Sequence, residues 1–416
     1  MTKVIVNKKS LKYWVVFVLL FVVLLASLTS PKMKVFSVPV LMLLPLPLSL
    51  LVYLLNGCYL SRKVAIFTLI IFLAAFLGTV HSVTSDFFSM MSFLLTIASM
   101  AMFLINTSAL SRVLTYFRNE DIEPLIRWFI YFFILIFCIE IIVPDLFIKL
   151  RIGLYGTGYD FEAIAKRDDL LMFGHRPFFI FTESSAAARY TGVLLGMYAF
   201  LDKFSNRSAF LIVLMFVLLR SPSLGIVLYV VPFYFIRFFT VMKWRGKLIF
   251  LSAVVIGGIS LGITIAVRVQ GYLDVGSGSI SERYVFPLFF LFQQNLDVIF
   301  SGFGFGGHKE MYGFICSEMA STRPLFECGN NPHAAASSAI MFLGVFGIVG
   351  LVLFISLNYL SFGLSGLMLV YIFFVVEFFM TGFNSPISFS VLVFPVAQYF
   401  AYIHATKFES VKSGIV

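Results

Sequence analysis

The sequence predicts an all-α polytopic membrane protein, and three observations lead to that prediction. Of the 416 residues, 60% are hydrophobic and only 12% are charged, against about 25% charged residues in an ordinary soluble domain. Apolar runs close to the roughly 20 residues that a helix needs to cross a bilayer recur along the chain. The short segments between them carry Lys and Arg mainly on alternate sides. We therefore expect a single integral membrane domain over residues 1–416.

The apolar runs predict about twelve transmembrane helices. They lie at residues 13–29, 35–56, 64–80, 87–106, 125–143, 184–201, 208–220, 222–240, 248–267, 335–359, 364–383 and 387–403. The run at 208–220 is short, and the run at 35–56 contains Pro39, Pro45 and Pro47. Because proline removes a backbone donor and clashes with the preceding turn, this second span is predicted to be kinked.

The beginning of the chain has the basic start, apolar core and small residues of a secretory signal peptide. Its apolar core is long and another apolar run follows, so we expect an uncleaved first span, with a signal peptide as the alternative. With the N-terminus inside, Lys and Arg collect in the inside segments, and both termini are predicted to be cytoplasmic. The net charge of +10 then reflects topology and anionic headgroups, and no nucleic-acid partner is expected.

Two connections are too long for simple turns, and both fall outside in this topology. They cover residues 144–183 and 268–334 and are predicted to be large periplasmic loops. Long loops on a tight bundle are where function is expected. Cys316 and Cys328 both lie in the second loop, and an oxidising compartment would allow a disulfide between them.

Charged and titratable residues gather at the outer ends of the predicted spans. The candidates are Arg176, Glu183, Arg189, Arg220, Arg283 and His333. Charges at membrane depth are costly and often functional, and the planar fork of arginine matches diphosphate and carboxylate oxygens. This excess of guanidinium groups over acids predicts a lipid-linked anionic ligand.

Each candidate also has a structural interpretation. Arg189 can extend to lipid headgroups or pair with Glu377, and Glu183 can cap the sixth predicted helix. His333 lies next to a predicted helix start, where a histidine often forms structural hydrogen bonds.

The stretch GFGFGGHK at residues 302–309 superficially resembles a nucleotide-binding loop. It lacks the preceding strand and following helix of a βαβ unit, so we interpret the glycines as a sharp, closely packed turn. Metal-binding and paired-carboxylate motifs are missing from the sequence, and His175, His308 and His333 are far apart. No metal and no cofactor are therefore predicted.

Several short motifs together resemble the O-antigen polymerase and O-antigen ligase superfamily. They are an Arg-containing segment before a middle span, SER at residues 281–283, the G-x-G stretch, and NPHAAASSAIMFLGVFGIVGL from residue 331. The resemblance covers roughly residues 125–360. In that family the histidine is usually followed by Asn, whereas this chain has Ala334.

The resemblance implies a membrane-embedded (GT-C-like), metal-independent glycosyltransferase of the bacterial inner membrane. Its substrate would be an oligosaccharide on undecaprenyl diphosphate, used at the periplasmic face in lipopolysaccharide O-antigen biosynthesis. Arg176, Arg283 and His333 match the family positions that hold the diphosphate and the reaction centre. By the same resemblance, membrane lipids, a chain-length regulator and a flippase are the expected partners.

The residue types suit such a transfer. Guanidinium groups would stabilise the charge that grows on the departing diphosphate, and we assign this role to Arg176 and Arg283, assisted by Arg220 or Arg189. His333 or Glu183 would accept the proton of the attacking hydroxyl.

Two alternatives remain at the level of the sequence. An O-antigen ligase, which transfers the finished polymer to lipid A–core, would share the fold and the loop motifs. A lipid-linked oligosaccharide flippase would not form a glycosidic bond, and its charges are expected near the midplane in paired halves.

Overall fold

The computed structural model describes residues 34–35, 38–39, 45–56, 60–84, 88–115, 119–155, 179, 184–202, 206–218, 291, 293–307, 338–379, 393, 396–397 and 399–400. Within these ranges we number ten helices in chain order. They are α1 (Pro45–Asn56), α2 (Arg62–Thr84), α3 (Met90–Leu114), α4 (Asn119–Ile142), α5 (Pro144–Tyr155), α6 (Ser184–Leu201), α7 (Asn206–Leu218), α8 (Leu296–Ser301), α9 (Ser338–Phe362) and α10 (Leu364–Phe379).

Four helices in the described ranges are long and apolar enough to cross a membrane. These segments are Arg62–Thr84, Met90–Leu114, Ile122–Ile142 and Gly344–Phe362. Their outward faces are rich in large exposed apolar side chains, such as Leu69 on α2 and Leu135 on α4, as lipid-facing surfaces require. This architecture is consistent with a polytopic helical membrane protein. The full set of twelve spans remains a prediction.

The predicted second span is wrong at its beginning. Strand β1 (Lys34–Val35) pairs antiparallel with strand β2 (Val38–Pro39), and helix α1 begins only at Pro45. Proline fits the start of a helix because the first helical residues have unpaired N–H groups in any case. The 12 residues of α1 span about 18 Å, well short of the roughly 30 Å hydrocarbon core.

The core of the bundle is built around Phe67 of α2, whose side chain is completely buried. Its ring lies 6.3 Å from that of Phe103 on α3, 6.2 Å from Phe354 on α9 and 6.1 Å from Phe373 on α10. These tilted and edge-on arrangements are the ones that aromatic rings favour. One side chain of α2 thus contacts three other helices.

Helix α9 runs antiparallel to α2 and is interrupted near its N-terminal end. Phe354 packs on Phe67, and Gly350, nearer the start of α9, approaches the carbonyl oxygen of Ala74, nearer the end of α2. The predicted continuous span at 335–359 is broken at Gly347, which has φ 61° and ψ −178°. The break occurs where a second glycine-rich segment crosses the helix, as described below.

Parts of both predicted long loops belong to the helical body. Helix α5 (Pro144–Tyr155) forms the beginning of the segment 144–183, and Phe147 on it is buried. In the segment 268–334, helix α8 is followed by residues 302–307, all of which are buried. Both predicted loops therefore contain chain that packs against the bundle.

Candidate functional site

Most of the predicted site residues lie outside the described residues, and their roles remain predictions. These are His333, Glu183, Arg176, Arg283 and Arg220, together with Cys316 and Cys328. Arg189 falls in the second turn of α6, and Glu377 falls in the last turn of α10. The structure instead describes two anchoring points that adjoin the segments carrying Arg176, Glu183 and His333.

The first anchoring point is a buried ion pair between α4 and α5 that also holds the chain just before α6. The Nη1 atom of Arg151 lies 2.6 Å from the Oε1 atom of Glu140, and both side chains are completely buried. The same Nη1 donates to the carbonyl oxygen of Phe179 at 3.0 Å. The backbone N–H of Phe179 donates to the Oε2 atom of Glu140 at 2.7 Å. We call these three residues the clasp.

In the clasp, both carboxylate oxygens of Glu140 accept hydrogen bonds, and Phe179 both donates and accepts. Additional bonds of this kind offset part of the cost of burying a charged pair. The Phe179 backbone has φ 46°, a left-handed conformation that is unfavourable for a bulky side chain. The surrounding bonds must therefore hold this residue in place.

Aromatic packing fixes the side chain of Phe179 as the polar bonds fix its backbone. Its ring lies 6.2 Å from that of Phe132 and 6.4 Å from that of Phe133, both on α4. It also lies 6.1 Å from the ring of Phe147 on α5. Phe179 is thus held against α4 and α5 both by hydrogen bonds to its backbone and by packing of its side chain.

Reasoning from the sequence did not single out the clasp, although a signal was present. Glu140 is an acid inside the apolar run FCIEII, and such a residue at membrane depth calls for a partner. Arg151 lies 11 residues further along, in the segment that the sequence predicts to be a loop. A helix over residues 144–155 would indicate Arg151 as the partner of Glu140.

The second anchoring point is a backbone crossing between residues 302–307 and helices α2 and α9, which we call the glycine crossing. The N–H of Phe303 donates to the carbonyl oxygen of Gly344 at 2.6 Å, and that of Gly304 donates to Val345 at 2.9 Å. On the other side, the N–H of Phe305 donates to the Thr79 hydroxyl at 2.9 Å. Non-helical backbone at membrane depth requires protein partners of this kind.

Only glycine fits at the centre of this crossing. A Cβ atom on Gly302 would lie 2.5 Å from the backbone nitrogen of Gly347, and one on Gly78 would overlap the backbone of Gly304. Gly302, Gly304 and Gly347 also have positive φ values of 75°, 61° and 61°. The expectation of a sharp, closely packed turn at GFGFGG is therefore confirmed.

A buried polar seam joins α1 to α3 far from the glycine crossing. The hydroxyl of Ser49 donates to Asn106 Oδ1 at 2.7 Å, and the hydroxyl of Tyr53 donates to the carbonyl oxygen of Ile105 at 2.8 Å. Asn106 lies 16 residues after the start of α3 at Met90, which is about 24 Å along the helix. We assign this seam to helix association, which polar side chains support within membranes.

The glycine crossing lies at the C-terminal end of α2. Gly78, in the crossing, is near that end, and the N–H of Ser89, just before α3, donates to the Gly306 carbonyl oxygen at 3.0 Å. Helices α2, α3 and α4 contain consecutive candidate spans joined by short connections, and such spans are expected to alternate in direction. Alternation would bring the C-terminal end of α4, which carries Glu140, to the end where the crossing lies.

The fold defines the class of protein as far as helices and hydrophobicity allow: a helical chain whose apolar segments suit a membrane. No family model, no curated protein and no solved structure matches this chain. Among the residues that the structure describes, no group of three or more His, Cys, Asp or Glu side chains could hold a metal ion.

Proposed function

We propose that this protein polymerises undecaprenyl-diphosphate-linked O-antigen repeat units by glycosyl transfer at the periplasmic face of the bacterial inner membrane. One observation carries the proposal furthest: the clasp binds Phe179, which lies between Arg176 and Glu183 in the sequence. The glycine crossing directly precedes residues 308–337, which include His333. The alternating directions expected of α2, α3 and α4 would bring both anchoring points to one end of the bundle. Cations and a base joined to one end of a helical bundle suit a reaction at one leaflet.

The proposed reaction is a single displacement. The hydroxyl oxygen of an acceptor unit forms a bond to the anomeric carbon of the donor while the bond from that carbon to the diphosphate oxygen breaks. The hydroxyl proton passes to His333 or Glu183, and the anomeric centre inverts. Arg176 and Arg283, assisted by Arg220 or Arg189, stabilise the released undecaprenyl diphosphate, because fixed positive charge is most effective where negative charge develops.

Alanine substitution tests these assignments. The full-length protein would be reconstituted with lipid-linked repeat units, and chain growth would be measured for Arg176→Ala, Arg283→Ala and His333→Ala. Loss of one fixed charge-stabilising group typically lowers kcat by about 100- to 1,000-fold, and we expect losses of that order. Arg127→Ala on α4, where the guanidinium forms an i,i+4 ion pair with Glu123, is the control. Normal chain growth by all three variants would remove the proposed site.

Two further measurements separate the alternatives. A strain without the polymerase is expected to make lipopolysaccharide with a single repeat unit, whereas a strain without a ligase makes lipopolysaccharide without O-antigen on the core. Vesicles given only outward-facing lipid-linked units must still show chain growth. Translocation without growth would instead indicate a flippase.

A further inference from the structure

We infer that Glu140 and Arg151 are positioning residues for this glycosyl transfer, because they hold the chain between Arg176 and Glu183 at Phe179. The inference rests on the proposed function and adds two residues to it. Neither would contact the substrate, since both side chains are completely buried. Their action would be exerted through the backbone of Phe179.

The geometry of the clasp goes beyond what helix packing alone requires. Glu140 uses Oε1 for Arg151, at 2.6 Å, and Oε2 for the N–H of Phe179, at 2.7 Å. A pair that merely joined α4 to α5 would need no bond to a residue 39 positions beyond Glu140. Both partners of the pair bind the same distant residue: Glu140 accepts from its N–H, and Arg151 donates to its carbonyl oxygen.

Phe179 is close enough in sequence to limit where its neighbours can go. Arg176 lies three residues before it and Glu183 lies four residues after it. A fully extended chain advances by at most about 3.6 Å per residue, so their Cα atoms lie within roughly 11 Å and 15 Å of the Phe179 Cα atom. Holding Phe179 therefore restricts the backbone positions of both predicted site residues.

The hydrogen bonds restrain the backbone of Phe179, whereas the aromatic contacts restrain its side chain. The ring of Phe179 lies 6.1 to 6.4 Å from three neighbouring rings, in the edge-on geometry that aromatic pairs favour. The bonds to Glu140 and Arg151 set the orientation of the Phe179 backbone, and with it the directions in which the chain leaves. A misplacement of about 1 Å at a reaction centre can lower the rate about 100-fold.

The test replaces the ion pair by apolar side chains of similar size, in the variant Glu140→Leu/Arg151→Met. Replacing both partners of a buried pair is often neutral or stabilising, whereas here it removes the two hydrogen bonds to Phe179 described above. We expect a folded protein whose KM for the lipid-linked donor is close to that of the wild type and whose kcat is lower by about 100-fold. The full-length wild type and the variant would be compared in the same vesicles.

A matched control pair lies on α4 itself. Glu123 and Arg127 form an i,i+4 ion pair at 3.3 Å with side chains 17% and 27% exposed. Glu123→Leu/Arg127→Met replaces the same two residue types by the same apolar residues, here both on α4, and leaves the clasp intact. We expect its kcat to change by less than about fivefold, in keeping with the small energies of partly exposed pairs.

The outcomes distinguish positioning from a purely structural role. A folded apolar variant with wild-type kcat would overturn the inference, and a folded variant with a low kcat and unchanged KM would support it.

If the apolar variant does not fold, the single variants Arg151→Lys and Glu140→Gln provide the test. Lysine keeps the charge of Arg151 without its fork, so a loss of kcat at unchanged melting temperature supports positioning, whereas a loss that follows the folded fraction overturns it. Absence of chain growth by the wild type would contradict the proposed function itself, whereas the other outcomes of this experiment bear on the clasp alone.

Discussion

At the scale of single residues, two glycines share a backbone conformation and differ in everything around it. Gly304 has φ 61° and Gly363 has φ 63°. A Cβ atom on Gly304 would overlap the backbone of Thr79, whereas a Cβ atom on Gly363 would have nothing within 4 Å. Substitutions at the two glycines therefore separate the free-energy cost of backbone strain from the cost of a steric clash with neighbouring backbone.

We predict that Gly304→Ala unfolds the protein or greatly lowers its yield, whereas Gly363→Ala is tolerated. Strain alone costs about 1–2 kcal/mol for a left-handed alanine, and this is all that Gly363→Ala would add. At Gly304 the backbone of α2 would also have to move away. Thermal unfolding of the two purified variants in detergent measures the difference. Equal melting temperatures would show that the glycine crossing is not packed as described.

At the scale of helices, the sequence predicted elements best where hydrophobicity changed sharply at their ends. The bounds of α6, Ser184–Leu201, agree with the predicted span at 184–201, and α7, Asn206–Leu218, begins two residues earlier than the predicted one. The apolar run at 35–56 was misleading because hydropathy does not register proline. Residues on both sides of Pro39 are apolar, yet the helix begins only at Pro45.

Contacts between distant segments could not be predicted from one sequence. The glycines of GFGFGG indicated a close approach, and that interpretation was right, but their partners Gly78 and Gly347 lie in other apolar runs. The Phe305 N–H reaches Thr79 across a sequence separation of 226 residues. In the same way, Glu140 and Arg151 meet only because the chain turns at Pro144 and continues as a helix. The candidate site was thus predicted as a set of residue types, and its anchoring was not.

Helix packing gives a prediction centred on Phe67. Because this completely buried ring contacts α3, α9 and α10, Phe67→Ala would leave a cavity where four helices meet. We expect the free energy of unfolding to fall by about 3 kcal/mol or more.

Phe76→Ala on the same helix is the control, because Phe76 is 49% exposed. Reversible unfolding in mixed micelles compares the two variants. An equal effect of both substitutions would contradict the central position of Phe67.

At the scale of the whole molecule, the predicted orientation has a direct test on described residues. Arg62 begins α2 and Lys149 lies on α5, and both are exposed. With the N-terminus cytoplasmic, Arg62 is expected inside and Lys149 outside.

Single cysteines at these two positions, in a variant without the four native cysteines, would be treated with a membrane-impermeant maleimide in spheroplasts. We predict labelling of Lys149→Cys before lysis and labelling of Arg62→Cys only after lysis. The reverse pattern would place the clasp at the cytoplasmic end and would remove the periplasmic site.

The order of the clasp residues along the chain also sets the order in which they are synthesised. Glu140 and Arg151 are 11 residues apart, so at about 5–20 residues per second both are synthesised within roughly one or two seconds of each other. The counter-charge of the Glu140 carboxylate is therefore synthesised within seconds of the carboxylate itself. Phe179 is made 28 residues after Arg151, so both charged partners are in the chain before the backbone that they bind. The order of the three residues along the chain is thus an order in which the clasp can close during insertion.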